Sequence, residues 1–482
     1  MFYLFFSLVL LITIGTYLLC KFVFLKNNEK FRIIANKILK VLVIVYCFVV
    51  FLTILLPDAF VRSFESSELT RSYKEISFAL IRWFSALSFV ILPLAVFFKN
   101  RTIKNIAIYF CSIMTIVSII YYPVFLENYT STMGRGLNSI SVFNDGFKNF
   151  LINPIFRSFI IGFQWLLELS IIFVLAFEEK HIFNFKSKKE YLNFFLVLIP
   201  SLICIIPIYV PQHLFGYSNI IFDAWTLPHI LWIVLVIAMI VSLYFIFKSR
   251  SKEDKKILCL ILALSLFLQY NQMFGAISIS IKRLPFQLCN IGALLVLLSL
   301  ITENKHIFNF TIIVNVVGVI FALVMPDLDG KGLFYLYNMH FIFEHTNVLV
   351  VPVLALLLQI FPRLDKQALK DCVIGFSIYF VFVFLAGTTF NSIASITGNS
   401  FYSANYLFMF DQAVATDFVE AFGALFKTQL KIGNHITLYP VIQSLVYCVF
   451  LTLCILMYFV IKLLYKIKDN VINLKKSKNE NL

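Results

Sequence analysis

Charge is scarce in this chain. Only 13% of its 482 residues are Asp, Glu, Lys or Arg, against about 25% in an ordinary soluble domain. Hydrophobic residues make up 61%. No water-soluble fold of this size hides so much apolar surface, so a soluble enzyme or scaffold is excluded. The apolar runs are continuous and lack the alternation of a membrane β-barrel, which excludes that architecture too. No CxxC pair occurs, and no Cys/His spacing suits zinc, so no metal is expected. Phosphate-binding loops of the GxxxxGK[ST] type, dinucleotide GxGxxG turns and HExxH are also missing. No cofactor is expected.

What remains is a membrane protein. A span needs about 20 apolar residues, and the chain offers thirteen such runs: 2–25, 38–56, 76–98, 103–126, 154–177, 190–210, 228–247, 256–275, 285–302, 307–325, 338–361, 370–390 and 440–465. The first run has no small-residue cleavage site and reads as an uncleaved span. The expected fold class is all-α, a polytopic transmembrane helix bundle of about 13 spans. Three parts are expected: an N-terminal half (1–220), a C-terminal half (221–466) and a basic tail (467–482).

The net charge of +15 does not point to nucleic acid. The basic residues cluster in the loops after odd-numbered spans, as at Lys26–Lys40, Lys99–Lys104, Lys248–Lys256 and Arg363–Lys370. That bias marks the cytoplasmic side. It puts the N-terminus outside, the C-terminus in the cytoplasm, and the protein in the cell membrane as a multi-pass chain. His213, His229, His340, His345 and His435 then fall on the outer side.

A pattern occurs twice. RWFSALS (82–88) and RLPFQLC (283–289) each open a span, followed by a basic turn, another span and a proline, Pro123 or Pro326. Further on, 160–177 resembles 339–356. This reads either as two parallel repeats of six spans plus one, or as chance likeness of apolar helices. In the repeat reading, Ser88 stands where the second copy has Cys289.

Of nine cysteines, Cys289 has the most suggestive setting. Pro285 suits a first helical turn. That places Cys289 one turn inside, with Lys282 and Arg283 upstream. A positive helix end and nearby cations favour a thiolate, and open amides there can stabilise an oxyanion. Gln287 and Asn290 are polar at membrane depth, where polarity is costly without a use. A buried cysteine also serves as a plain small hydrophobe. His340, Glu344, His345, Thr346 and Asn347 lie together in a later span. His345 falls at a depth similar to Cys289, and a cysteine with a histidine base is the minimum for covalent acyl transfer. A helix–helix hydrogen bond is the alternative use of His345. Asp327, Glu344, Asn405 and His435 are candidates to orient its ring. Glu168 lies within a span of the first half, and Arg82 either snorkels outward or pairs with it.

LPFQLCNIGALLVLLSLIT, VMPDLDG, HFIFEHTNVLVVP and ANYLFMF occur in that order. Through them, residues 228–439 resemble the YwaF-like bacterial membrane proteins and their eukaryotic relative, transmembrane protein 164. The resemblance implies a membrane acyltransferase acting on phospholipids. It implies Cys289 as nucleophile, His345 as the active histidine and Asn405–Tyr406 as a supporting pair. The chain departs from the pattern at Gln287, often histidine in the family, and at Thr346, often glycine. The first 220 residues have no counterpart in the usual short members.

The expected activity is acyl transfer from a membrane phospholipid, through a Cys289 thioester, to a lysolipid or lipoprotein at the outer leaflet. A lipid hydrolase with the same dyad and a polytopic transporter are the alternatives. The first half is also open to reading as a docking module.

Overall fold

A computed structural model of the chain describes residues 2–19, 29–50, 73–123, 126, 144–178, 187–216, 219–276, 281, 284–326, 328, 332–410 and 428–480. In chain order the helices are α1 (Phe2–Leu19), α2 (Glu29–Val50), α3 (Tyr73–Phe97), α4 (Arg101–Ile120), α5 (Asp145–Ile152), α6 (Pro154–Glu178), α7 (Lys188–Cys204) and α8 (Val210–Phe215). They continue with α9 (Leu227–Phe247), α10 (Lys252–Ala276), α11 (Leu288–Thr302), α12 (Lys305–Val324), α13 (Leu336–Leu357), α14 (Lys366–Thr397) and α15 (Pro440–Glu480). A short antiparallel hairpin, β1 (Leu430–Ile432) and β2 (Ile436–Leu438), lies before α15. Among the described residues, each of the thirteen apolar runs falls mostly on a helix. Among the described residues, nine helices are long and apolar enough to cross a membrane, and α11 is a shorter apolar one. This is the all-α bundle that a backbone in lipid requires, since a helix satisfies its own N–H and C=O groups.

Helix contacts divide the chain into two compact units, each built from separated stretches. The first comprises residues 1–230, 251–279 and 328–343, the second 231–250, 280–327 and 344–482. Helix α15 runs unbroken to Glu480, through most of the stretch expected as a basic tail (467–482).

In the first unit, α1 and α2 pack on α6, and α3 packs on α2, α4 and α6. Phe78, Tyr122, Trp165 and Tyr209 form the centre of one core cluster. Deep between these helices lies Glu168. Its carboxylate accepts hydrogen bonds from Tyr46 Oη at 3.0 Å, Thr115 Oγ1 at 2.9 Å and Gln164 Nε2 at 2.8 Å. Arg82 is buried and is its charged neighbour. Arg82 therefore does not snorkel outward; it balances a carboxylate inside the helix bundle, where an isolated charge is costly.

In the second unit, α12 packs on α11 and α14, and α15 packs on α14 and α12. Two helices, one in each unit, share a construction. Asn100 caps α4 by accepting from the amides of Thr102 and Ile103, and Asn304 caps α12 by accepting from those of His306 and Ile307. Each helix then widens into a π-turn, Ile106–Cys111 and Thr311–Asn315. Matching the two caps sets Cys111 against Asn315, Ser88 against Gly292, and Ser85 against Cys289. Contacts agree with this register: the Ser88 side chain bonds Cys111, and Gly292 abuts Asn315. The sequence pairing of Ser88 with Cys289 is thus off by one helical turn. Matching spans by their opening residues misses the difference in helix starts.

His213 on α8 is buried against the rings of Phe78 and Tyr209. Burial pushes it down from 6.5 to about 4. In the unfolded chain it protonates near its ordinary value, so the stability that neutral His213 contributes is complete above that value. It is lost as pH falls from about 6.5 toward 4. Thermal unfolding in detergent should move to lower temperature across that window, and His213→Leu should flatten the slope.

Candidate active site

Helix α11 begins at Leu288, not at Pro285. Pro285 stands in the preceding turn, where Phe286 N donates to Leu284 O at 2.6 Å. Cys289 is the second helical residue and is half-buried. With 15 residues, α11 is only about 22 Å long, short of a hydrocarbon core of about 30 Å. A helix this short leaves part of the layer to other backbone, and residues 284–287 just before it are not α-helical.

Such backbone is tolerated only if its polar groups are satisfied within the protein. Here side chains from elsewhere in the second unit supply the bonds. Tyr406 Oη donates to Ile281 O at 2.6 Å, and Tyr379 Oη donates to Phe286 O at 2.7 Å. Asn315 Nδ2 donates to Leu288 O at 2.6 Å. Gln287 is the N-cap residue, yet its side chain does not cap. Its Nε2 instead donates to Asn405 O at 2.9 Å, and its Oε1 accepts from Leu407 N at 3.0 Å. The first amides of α11 are thus left without a side-chain cap, pointing toward the Cys289 turn.

Three helices meet along one side of α11. A Cβ on Gly292 would stand 2.8 Å from Asn315 Nδ2 and 3.1 Å from Val348 Cγ1. The missing side chain is what lets α12 and α13 approach. Glu344 precedes Val348 by one turn and is an electrostatic neighbour of Cys289, as is Tyr379. Cys289 and Gly292 on α11 therefore face Glu344 and Val348 on α13. His345 lies three residues before Val348, about 60° round the helix from it, and is buried. Thr346 Oγ1 accepts from Trp232 Nε1 of α9 at 2.8 Å. That bond gives a reason for threonine beside the histidine.

The other expected site residues fall as follows. Tyr406 is fully buried, and Asn405 Oδ1 accepts from Phe410 N at 3.0 Å, so both shape the backbone around α11. His435 is exposed on the hairpin turn, with Nδ1 3.1 Å from Ser395 Oγ. Ser395 is about 24 Å along α14 from Tyr379, so His435 is not brought to the Cys289 turn. Arg283 and Asp327 lie outside the described residues. Among the described residues no cluster of His, Cys, Asp and Glu could hold a metal. Asn315 and Tyr379 had no part in the sequence reading. The signal for Asn315 was a lone amide in an apolar run, IIVNVVG.

Residues 222–458 match the model of the TMEM164 family. The matched stretch holds Cys289, Glu344, His345 and the Asn405–Tyr406 pair, and reaches slightly beyond the 228–439 expected. The match carries no activity with it. No curated protein and no solved structure matches the chain.

Tyr379→Phe should leave the Phe286 carbonyl without its donor and cost about 1–3 kcal/mol. Gly292→Ala should push α11 away from Asn315. Both variants should melt earlier in detergent and alkylate faster at Cys289 with a lipophilic maleimide. An unchanged alkylation rate in both would mean that these contacts do not hold the turn.

Proposed function

We propose that this protein is a membrane acyltransferase whose nucleophile is Cys289. The observation that supports it best is the packing of α11 on α13. A half-buried thiol sits at an uncapped helix start, with Glu344 beside it and His345 on the next position of the same helix. A thiol, a base and open amides are the parts that acyl transfer needs.

In the proposed reaction His345 takes the thiol proton, and Glu344 stabilises the imidazolium by charge. The sulfur attacks the ester carbonyl of a membrane phospholipid. The oxyanion is held by the first amides of α11. The carbonyl–oxygen bond breaks, the leaving lysolipid takes the proton from His345, and a thioester remains on Cys289. An acceptor hydroxyl of a lysolipid, or the amine of a lipoprotein, then attacks the thioester. Its proton passes through His345 to the sulfur, and the thiol is restored. The donor ester already carries the energy, so no cofactor enters. The charge bias of the loops supports an outer-leaflet site.

Purified protein in phospholipid vesicles should release lysolipid and acylate an added acceptor. Cys289→Ala should abolish both products. His345→Asn should lower kcat by about 10²–10⁴-fold. Full activity of Cys289→Ala would sink the proposal. Release of fatty acid at the same rate with and without acceptor would make the enzyme a hydrolase.

A further inference from the structure

Cys372 on α14 and Cys454 on α15 take no part in the proposed chemistry. Both are free thiols and fully buried, and their side chains are hydrogen-bonded to each other. The surrounding contacts hold that register. One turn from Cys372, the ring of Phe376 stacks on Phe450 at 6.2 Å and on Tyr447 at 5.9 Å. A further turn along, Phe380 meets Tyr447 at 5.0 Å. Ser377 Oγ and Tyr447 Oη are hydrogen-bonded at 2.9 Å. Numbers rise along α14 as they fall along α15, so the helices are antiparallel and the two sulfurs face each other within a fixed ladder. Two cysteines used only as small hydrophobes have no need to be aligned in this way.

We propose that Cys372 and Cys454 form a dithiol–disulfide couple that ties α14 to α15. Two S–H bonds break and one S–S bond forms. Two electrons and two protons pass to a membrane-soluble quinone, which becomes a quinol. A lipid-soluble oxidant is the chemical class that fits. The pair lies within apolar helices whose outward faces, including Ile374, Ile378, Leu456 and Phe459, are exposed. Charged oxidants dissolved in water do not partition there. Tyr379 lies two turns from Cys372 on the same face of α14 and holds the Phe286 carbonyl. Oxidation therefore fixes the helix on which the Cys289 turn rests. The couple itself does not depend on acyl transfer.

The test uses the full chain in phospholipid nanodiscs, treated with a short-chain ubiquinone analogue. The protein is then denatured, alkylated without reductant and mapped by peptide mass spectrometry. The wild type should lose two alkylatable thiols and yield a linked peptide joining Cys372 to Cys454. Cys372→Ser and Cys454→Ala should each keep all eight remaining thiols, one fewer than the nine of the native chain. Cys289→Ala should still form the link, which separates this outcome from the fate of the acyl-transfer reading. The proposal is overturned if no linked peptide forms while exposed Cys448 is oxidised. It is overturned equally if Cys454→Ala loses as many thiols as the wild type.

Discussion

Non-helical backbone at the start of a short apolar helix is the constraint on which the second unit is built. A carbonyl before α11 that lies in the apolar layer without a partner would cost several kcal/mol. Tyr379 and Tyr406 answer two of them, and Asn315 bonds the first carbonyl of α11 itself. Those residues come from α14, from the 405–408 segment and from the π-turn of α12. Meeting the demand draws all three onto one helix start. The close approach it needs is visible at Gly292. Local strain is accepted for the same end. Leu407 and Phe408 sit at φ of 53° and 56°, a conformation that costs side-chain-bearing residues about 1–2 kcal/mol each. Gln287 holds that turn through the Leu407 amide.

The first unit solves a related problem with charge. Glu168 and Arg82 are both buried, and three neutral donors complete the carboxylate's shell. Removing one member of such a set leaves the other charge uncompensated, which explains why the donors come from three different helices. The paired features of α4 and α12, an asparagine cap and a π-turn, give the duplicated pattern structural support. The two copies differ in what they bury at the matched positions: Ser88 with Cys111 in one, Gly292 with Asn315 in the other. In the second, Gly292 abuts both Asn315 of α12 and Val348 of α13.

The sequence made the helices legible because hydrocarbon imposes a simple rule of length and apolarity. Among the described residues each run lies mostly on a helix for that reason, and nine helices are long and apolar enough to cross a membrane. Cys289 was legible as a helix-start cysteine, since proline and polar residues cluster just before it. The helix start itself was read three residues early, because Pro285 suits both a first turn and the turn before a helix. Gln287 looked like a departure from a pattern, while its amide bridges two backbone atoms far along the chain. Tyr379 and Asn315 passed unnoticed for the same reason. Their purpose is set by a carbonyl more than twenty residues away, and no local pattern encodes that distance. His435 was grouped with the site by side of the membrane alone, which says nothing of position along α14.

Helix α15 has 41 residues and therefore extends about 60 Å, twice the thickness of the apolar layer. It contains no proline after Pro440 to bend it. Beyond Asn470 it carries Lys475, Lys476 and Lys478 outward by a further 12 Å or so. Its length alone therefore carries the chain well past one apolar layer without a break.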